Sequence, residues 1–239
     1  MKGTSAIRAE LTSFKENELI FASKLYREKL SEVVDEATYY KVLERMCKSS
    51  ELVRIARGIY NLPKKSKYGI VPLSENDIIG AFTQNGKGTI VGNSLYNKLG
   101  LTTQIPKTIQ VMSSALEVFS KTIQNVVVRK SGLKYDKDIE NMVHVLDVLQ
   151  NFNTIQDIDY KAFVKFSCEF AHNYSNAVFE KVISEEKFKK STISFLKNVL
   201  NYYGVSNNLD RYLSSMSKYS HPKMEEIYTM YTANCQGSA

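Results

Sequence analysis

The stretch Asp35-Glu36-Ala37-Thr38-Tyr39-Tyr40-Lys41-Val42-Leu43-Glu44-Arg45-Met46-Cys47-Lys48-Ser49-Ser50-Glu51-Leu52-Val53-Arg54-Ile55-Ala56-Arg57-Gly58-Ile59-Tyr60-Asn61-Leu62-Pro63 changes its apolar period partway along. That change decides the fold. Asp35 is a residue type that caps helix starts. Tyr39, Val42, Leu43 and Met46 then recur at i, i+3, i+4 and i+7, one face of an α-helix. Thr38, Lys41, Arg45 and Lys48 form a polar, basic stripe on a different face. After Glu51 the period becomes two, with Val53, Ile55 and Ile59 alternating around Arg54 and the tip Ala56-Arg57-Gly58. A basic helix followed at once by an Arg-tipped hairpin reads as recognition helix plus wing. The expectation is a winged helix-turn-helix that binds DNA.

The preceding residues supply the bracing helices. Ile7, Leu11 and Phe14 share one face of a first helix. Phe21 leads into a second, with Ser23 as its expected cap and Leu25 inward, and Val33 and Val34 fill the turn before Asp35. In such a unit the third helix presents side chains to the major groove while the others brace it. Leu52 to Leu73 holds five basic residues (Arg54, Arg57, Lys64, Lys65 and Lys67) and no Asp or Glu. Cations there neutralise phosphates, giving salt-sensitive affinity without sequence choice. The bland alternative is a solvated charged face on any small α/β module.

Composition agrees. The chain has 239 residues, room for one large or two ordinary domains. A net charge of +7 and a pI near 9.1 favour an acidic partner, nucleic acid before membrane, since no apolar run approaches spanning length. The start Met1-Lys2-Gly3-Thr4 resembles neither a signal peptide nor an Arg-rich presequence. Three widely spaced cysteines, Cys47, Cys168 and Cys235, suit buried thiols in a reducing cytoplasm better than a disulfide framework.

Pro63-Lys64-Lys65-Ser66-Lys67 reads as a linker. Beyond it, Ser74-Glu75-Asn76-Asp77 resembles a helix start leading into Ile78, Ile79 and Phe82, broken by Gly86-Lys87-Gly88. Gly92-Asn93-Ser94 precedes a short helix over 95–99 that stops at Gly100. Two β-rich runs follow, at 108–112 and 125–130. From Asp138 the pattern is helical: Ile139, Met142, Val143, Leu146 and Leu149 make one stripe, and Tyr160, Phe163, Val164, Phe170, Ala171 and Tyr174 a second. Phe195, Leu196, Val199, Leu200 and Tyr203 make a third, and Met224, Ile227, Tyr228 and Tyr231 a last, with loops near 151–157, 204–208 and 217–222. Such stripes bury against one another as a helical bundle. The expected fold class is α+β: residues 1–67 a winged helix-turn-helix, 68–239 a second domain made of a small α+β module (68–135) and a helical part (136–239).

The wing Leu52-Val53-Arg54-Ile55-Ala56-Arg57-Gly58-Ile59-Tyr60-Asn61-Leu62-Pro63 resembles the RI-x-x-GIY-x-x-P signature of the AbiEi-like antitoxins of type IV toxin–antitoxin systems. Leu95-Tyr96-Asn97-Lys98-Leu99-Gly100-Leu101-Thr102-Thr103-Gln104-Ile105-Pro106 is similar to that family's second hallmark, LGL-T-TQ-x-P. Order and separation agree, and the resemblance covers about residues 5 to 130. It implies a bacterial, cytoplasmic protein of abortive-infection (phage-defence) systems, nucleoid-associated when bound to DNA. Its winged helix would repress its own operon at inverted repeats, and its C-terminal region would oppose a nucleotidyltransferase-like toxin without a stable complex.

Catalytic readings are weaker. In the second hallmark, Gly100 ends a helix and Thr102 and Gln104 bond the turn before Pro106. Gly92-Asn93-Ser94 with Asp136 and Asp138 superficially resembles a metal-dependent nucleotidyltransferase, but the acids lie beyond two further β runs, and the spacing fails. Asp159 reads as a helix cap. Cys168 and His172 stand one helical turn apart without a second ligand pair, His144 reads as packing, and His221-Pro222 as a turn. With no nucleophile elbow or phosphate-cradling loop, the chain reads as non-enzymatic, without metal, cofactor or catalytic residues.

The expected DNA contacts are Thr38, Tyr40, Lys41, Arg45, Lys48, Arg54, Arg57, Lys64 and Lys65. The partners expected are operator DNA and a toxin opposed functionally, with no membrane, the protein itself being a monomer or weak dimer. Two alternatives stay open: a winged-helix regulator whose helical half dimerises or senses a ligand, with no toxin, and an enzyme acting on nucleic acid or a nucleotide. Lys187, Lys189, Lys190 and Lys197 form a further basic face, either solvated or turned to an acidic ligand.

Overall fold

Capping and burial build the N-terminal unit around one helix. The computed structural model describes residues 2–236. Asp35 accepts a hydrogen bond from Thr38 N at 2.8 Å and opens α3 (Glu36–Lys48), whose Tyr39, Val42, Leu43 and Met46 are all buried. Ser50 ends it in the left-handed region (φ 56°), and Glu51 N returns to Met46 O at 3.0 Å. The chain then forms β2 (Val53–Ala56) and β3 (Ile59–Asn61) across the two-residue turn Arg57-Gly58. Gly58 takes φ 77°, open to glycine at no steric cost.

Upstream lie α1 (Lys2–Leu11), β1 (Leu19–Phe21) and α2 (Ala22–Leu25), the last continuing through a wider π-turn to Leu30. β1 pairs antiparallel with β3, Ile20 opposite Tyr60, giving a three-stranded sheet in the order β1-β3-β2. This is a winged helix-turn-helix. Arg8 clasps Glu51 with both guanidinium arms, at 2.7 and 3.1 Å, joining α1 to the end of α3.

Three local expectations need correction. The first helix stops at Leu11, where Thr12 and Ser13 hydroxyls donate to the Ala9 and Glu10 carbonyls, so Phe14 sits in the turn rather than on the helix face. Ser23 is no cap, because β1 runs straight into α2. The open N–H of Ala22 is taken instead by Gly58 O at 3.0 Å. Val34 packs beside the core, but Val33 is 55% exposed. The stretch expected as a linker is also ordered: β4 (Lys64–Ser66) pairs with β5 (Gly69–Val71), Lys64 opposite Val71. The expected boundary at 67/68 therefore falls in the turn of a hairpin. As a compact body the first unit runs to Ala81 and includes Thr122–Val126, and the second holds the rest.

Ser74 and Asp77 cap α4 (Glu75–Thr83) reciprocally, Ser74 N reaching Asp77 Oδ2 at 3.1 Å and Asp77 N reaching Ser74 Oγ at 3.1 Å. In the second unit β6 (Gly88–Val91), β7 (Ile109–Ser113), β8 (Ser120–Ile123) and β9 (Val126–Lys130) make a sheet in the order β6-β7-β9-β8, its hairpin tip counted with the first unit. A Cβ at Gly88 would stand 2.2 Å from Met112 O and 2.6 Å from Phe82 O, so only glycine lets β6 lie there. α5 (Asn93–Lys98) joins β6 to β7.

The helical part holds α6 (Lys137–Asn151), α7 (Tyr160–His172), α8 (Asn176–Glu185), α9 (Lys190–Tyr202) and α10 (Met224–Gln236). Asp136 caps α6, and Asp159 caps α7 as expected. α8, which the apolar stripes left unmarked, buries Phe179 and Val182. Phe152, Phe163 and Phe195 meet with ring centroids 4.8 to 6.3 Å apart at the centre of this core. Cys47 and Cys168 are unpaired thiols, and the Cys235 side chain lies outside the described residues. Among the described residues no helix is long and apolar enough to cross a membrane.

Tyr39 is fully buried and its hydroxyl donates to Ala22 O at 3.1 Å. Replacing Tyr39 with Phe is expected to cost about 1 kcal/mol, the net worth of a buried hydrogen bond. Tyr39→Ala should cost about 3–5 kcal/mol by opening a cavity. Urea denaturation followed by circular dichroism measures both; equal stability of Tyr39→Phe and the parent chain would show that the hydroxyl holds nothing.

Candidate nucleic-acid interface

Successive residues of an α-helix turn by about 100°, which sorts the α3 side chains by direction. With Tyr39, Val42, Leu43 and Met46 inward, Lys41 and Lys48 stand on the opposite side. Thr38 and Arg45 fall to one flank; Tyr40, Glu44 and Cys47 fall to the other, toward the wing. There they meet Arg54, Arg57, Gly58 and Tyr60 across an open groove of about 720 Å³. The groove holds three cations, Lys48, Arg54 and Arg57, against one carboxylate, Glu44.

Its other polar groups stay neutral at ordinary pH. Burial pushes the hydroxyls of Tyr40 and Tyr60 and the thiol of Cys47 upward from their usual values, so each keeps its proton. Tyr40 is half-buried, its ring set edge-on to Tyr39 with centroids 5.2 Å apart. The hydrogen bond from Lys48, followed by that lysine's charge, holds the Glu44 carboxyl below the usual range.

The nine expected DNA-binding residues separate accordingly. Tyr40, Lys48, Arg54 and Arg57 share the groove, and Thr38, Lys41 and Arg45 lie exposed along the same helix. Lys64 and Lys65 are exposed on β4, elsewhere. Lys65 lines a separate depression with Arg8 and Glu51, and the charge of Lys64 acts on Asp77. Lys48 is no lone cation, since its Nζ lies 2.8 Å from Glu44 Oε1. The i, i+4 spacing of Glu44 and Lys48 carries that signal in the sequence. Tyr60, not among the expected contacts, also lines the groove.

In the second unit, the hallmark segment after α5 is built as a turn. Gly100 takes φ 70°, Leu101 N returns to Tyr96 O at 2.9 Å, and Thr102 Oγ1 donates to Gln156 O at 2.9 Å. Gln104 N donates to Thr102 Oγ1 at 3.2 Å. Asp136, the helix cap, and Asp138, which lines a 510 Å³ cleft with Phe166 and Glu169, do not join Asn93 and Ser94 in any metal-holding group among the described residues. Asp147 accepts from Gly92 N at 2.7 Å and Tyr96 Oη at 2.9 Å; burial pushes its pKa up against those donors.

Thr89 donates its hydroxyl proton to Glu140 Oε1 at 2.6 Å, and His144 Nε2 lies 2.7 Å from the same hydroxyl oxygen. Burial holds the His144 pKa well below its ordinary 6.5, with Glu140 opposing and Lys98 adding to the fall. His172 Nδ1 lies 2.7 Å from Cys168 O, and His221 stacks on Phe195 at 5.2 Å, both packing roles.

A sequence model of DUF6088, described as a family of unknown function, matches residues 7–148. No curated protein matches. Among solved structures, the RV2827C protein from Mycobacterium tuberculosis is 11% identical at a TM-score of 0.41, over 86% of this chain and 78% of that one. A likeness that slight carries no argument about fold or function.

Because the fold favours neutral His144, the unfolded chain takes up the proton first as pH falls below the ordinary imidazole value of 6.5. The stability that neutral His144 preserves at higher pH is therefore lost on acidification. Between about pH 7 and about pH 5 the parent chain should lose more stability than a His144→Gln variant, as urea titrations at each pH would show. Parallel pH profiles would mean that His144 is accessible to protons in the folded state.

Proposed function

The chain belongs to DUF6088, a family of unknown function, and from the geometry of its N-terminal unit we propose that it is a DNA-binding transcriptional autorepressor and antitoxin of a type IV toxin–antitoxin operon. One observation carries the DNA-binding part. The helix that follows the turn of a winged helix-turn-helix bears Thr38, Lys41, Arg45 and Lys48 exposed, and the adjoining wing carries Arg54 and Arg57 across a shared groove. α3 enters the major groove, with Thr38 and Tyr40 near its start as base readers. Lys41, Arg45 and the wing arginines hold the backbone. The exposed Glu44–Lys48 pair contributes little to folding. It opens when a phosphate arrives, so Glu44 limits affinity without abolishing it.

The antitoxin part rests on the resemblance of two segments, 52–63 and 95–106, to AbiEi-like antitoxins. The toxin it opposes is a nucleotidyltransferase-like protein encoded beside it, and protection proceeds without a stable complex. The second unit supports this. The apolar stripes of α6, α7 and α9 are turned into its own core rather than toward a partner. The chain itself performs no catalysis in this reading.

Gel-shift titrations against the region upstream of its own gene test the wing. The Arg54→Ala/Arg57→Ala chain should bind more weakly, its slope of log affinity against log salt smaller by about 0.9 for each phosphate that is no longer neutralised. Glu44→Gln should move affinity the other way by freeing Lys48. Unchanged affinity and slope in the double variant would remove the wing from the mechanism.

Co-expression with the neighbouring nucleotidyltransferase-like gene tests the antitoxin. Growth should be rescued, while tagged chain and inactive toxin should separate on gel filtration at moderate salt. A one-to-one complex surviving that column would make this a sequestering antitoxin instead.

A further inference from the structure

Beyond the DNA-binding surface, the second unit holds a cleft of about 290 Å³ between the sheet and α6, closed on one side by the chain before α9. Its volume is near the lower end, about 300 Å³, of sites that hold small ligands. Two cations line it. Arg129, exposed on β9, spends one N–H on Met112 Sδ at 3.1 Å, and Lys187 makes no ion pair or hydrogen bond among the described residues. The one carboxylate in the lining, Asp147, is already held by Gly92 N, Tyr96 Oη and Asn151 Nδ2 and is offset by the charge of Arg129. The cleft therefore presents net positive charge to whatever enters.

Three amides give it a second chemistry. Gln150 Oε1 accepts from Lys189 N at 3.0 Å, leaving its Nε2 protons without a partner among the described residues. Asn151 Nδ2 is used on Asp147, leaving its Oδ1 to accept. The side chain of Gln110 has neither its donor nor its acceptor paired among the described residues. Unpaired donors and acceptors lining one cleft suit a planar group that carries both on one edge. Rings supply the third. Phe188 is half-buried at the cleft, and Phe119 stands there 82% exposed beside Val118, itself 52% exposed.

We propose that this cleft binds a single nucleotide unit, its phosphate on Arg129 and Lys187, its base edge on the amides of Gln110, Gln150 and Asn151, and its base face on Phe119. Inorganic phosphate alone would satisfy the cations and leave the amides and ring unused. A duplex hides the base edges and faces that these groups address, so the unit is unpaired. Stacking on an exposed aromatic with cations along the backbone is the general mode of single-strand binding. A free nucleotide and one nucleotide of a strand share this chemistry.

Fluorescence anisotropy of the full-length chain with a fluorescein-labelled short single-stranded RNA of mixed sequence tests it. Arg129→Ala/Lys187→Ala should weaken binding and lower the salt slope by about 1.4, about 0.7 for each phosphate contact on a single strand. Phe119→Ala should weaken it at least about fivefold with the slope unchanged. Arg54→Ala/Arg57→Ala, which touches only the wing, should bind the RNA as the parent does, so failure of the promoter reading and failure of this one are told apart. Displacement of the RNA by millimolar adenosine or uridine monophosphate would identify a free nucleotide as the ligand. Undiminished binding in their presence would identify a strand. Absence of RNA binding by the parent chain, or binding abolished in the wing variant and intact in the cleft variants, would overturn the proposal. Circular dichroism melts of each variant separate weakened binding from failed folding.

Discussion

The peptide of Ala22 is the constraint on which the N-terminal unit depends. Its N–H donates to Gly58 O at the turn of the wing, and its carbonyl accepts from the Tyr39 hydroxyl in the first turn of α3. One buried residue thus fixes the wing tip and the recognition helix to the same point. Both bonds lie where water cannot replace them, since Ala22 and Tyr39 are fully buried. Burial also pushes the Tyr39 hydroxyl above its ordinary value of 10, so it remains a donor at any physiological pH. The direction in which Lys41, Arg45 and Arg54 present their charge is set by this tie, not by those residues themselves.

The second unit solves a different problem. Its sheet has little length, so its helices supply the core, centred on Phe152, Phe163 and Phe195. Polar groups buried at the meeting of sheet and helix are bonded in chains: His144 to Thr89 to Glu140, and Tyr96 and Gly92 to Asp147. These chains hold α6 against β6 and α5 with a specificity that apolar packing alone lacks. The same edge leaves amides and cations facing outward in the cleft beside Arg129.

Much of this is legible in the residues. Asp35 as cap, the four buried positions of α3, the wing with its glycine turn, and the stripes of α6, α7 and α9 all announce themselves by period. What escapes has physical causes. β1, β4 and β5 are three residues long, too short for an alternation to register, and Lys64-Lys65-Ser66 is exposed on both faces, so it reads as linker. Ser23 resembles a cap because the true partner of the helix start, Gly58 O, comes from a distant turn. Of the nine residues expected at DNA, the structure gathers seven on α3 and the wing and sets Lys64 and Lys65 apart. The restraint that Glu44 places on Lys48 is written in their spacing, yet a stripe of cations on the same helix face hides it.

The central claim is that α3 reads a major groove while the wing holds the adjoining backbone. Methylation interference on the region upstream of the gene measures it most directly, because guanine N7 lies in the major groove and adenine N3 in the minor. The account predicts that modified guanines inside the bound region abolish binding while modified adenines there do not. Interference confined to adenine N3, or no protected region at all, would contradict it.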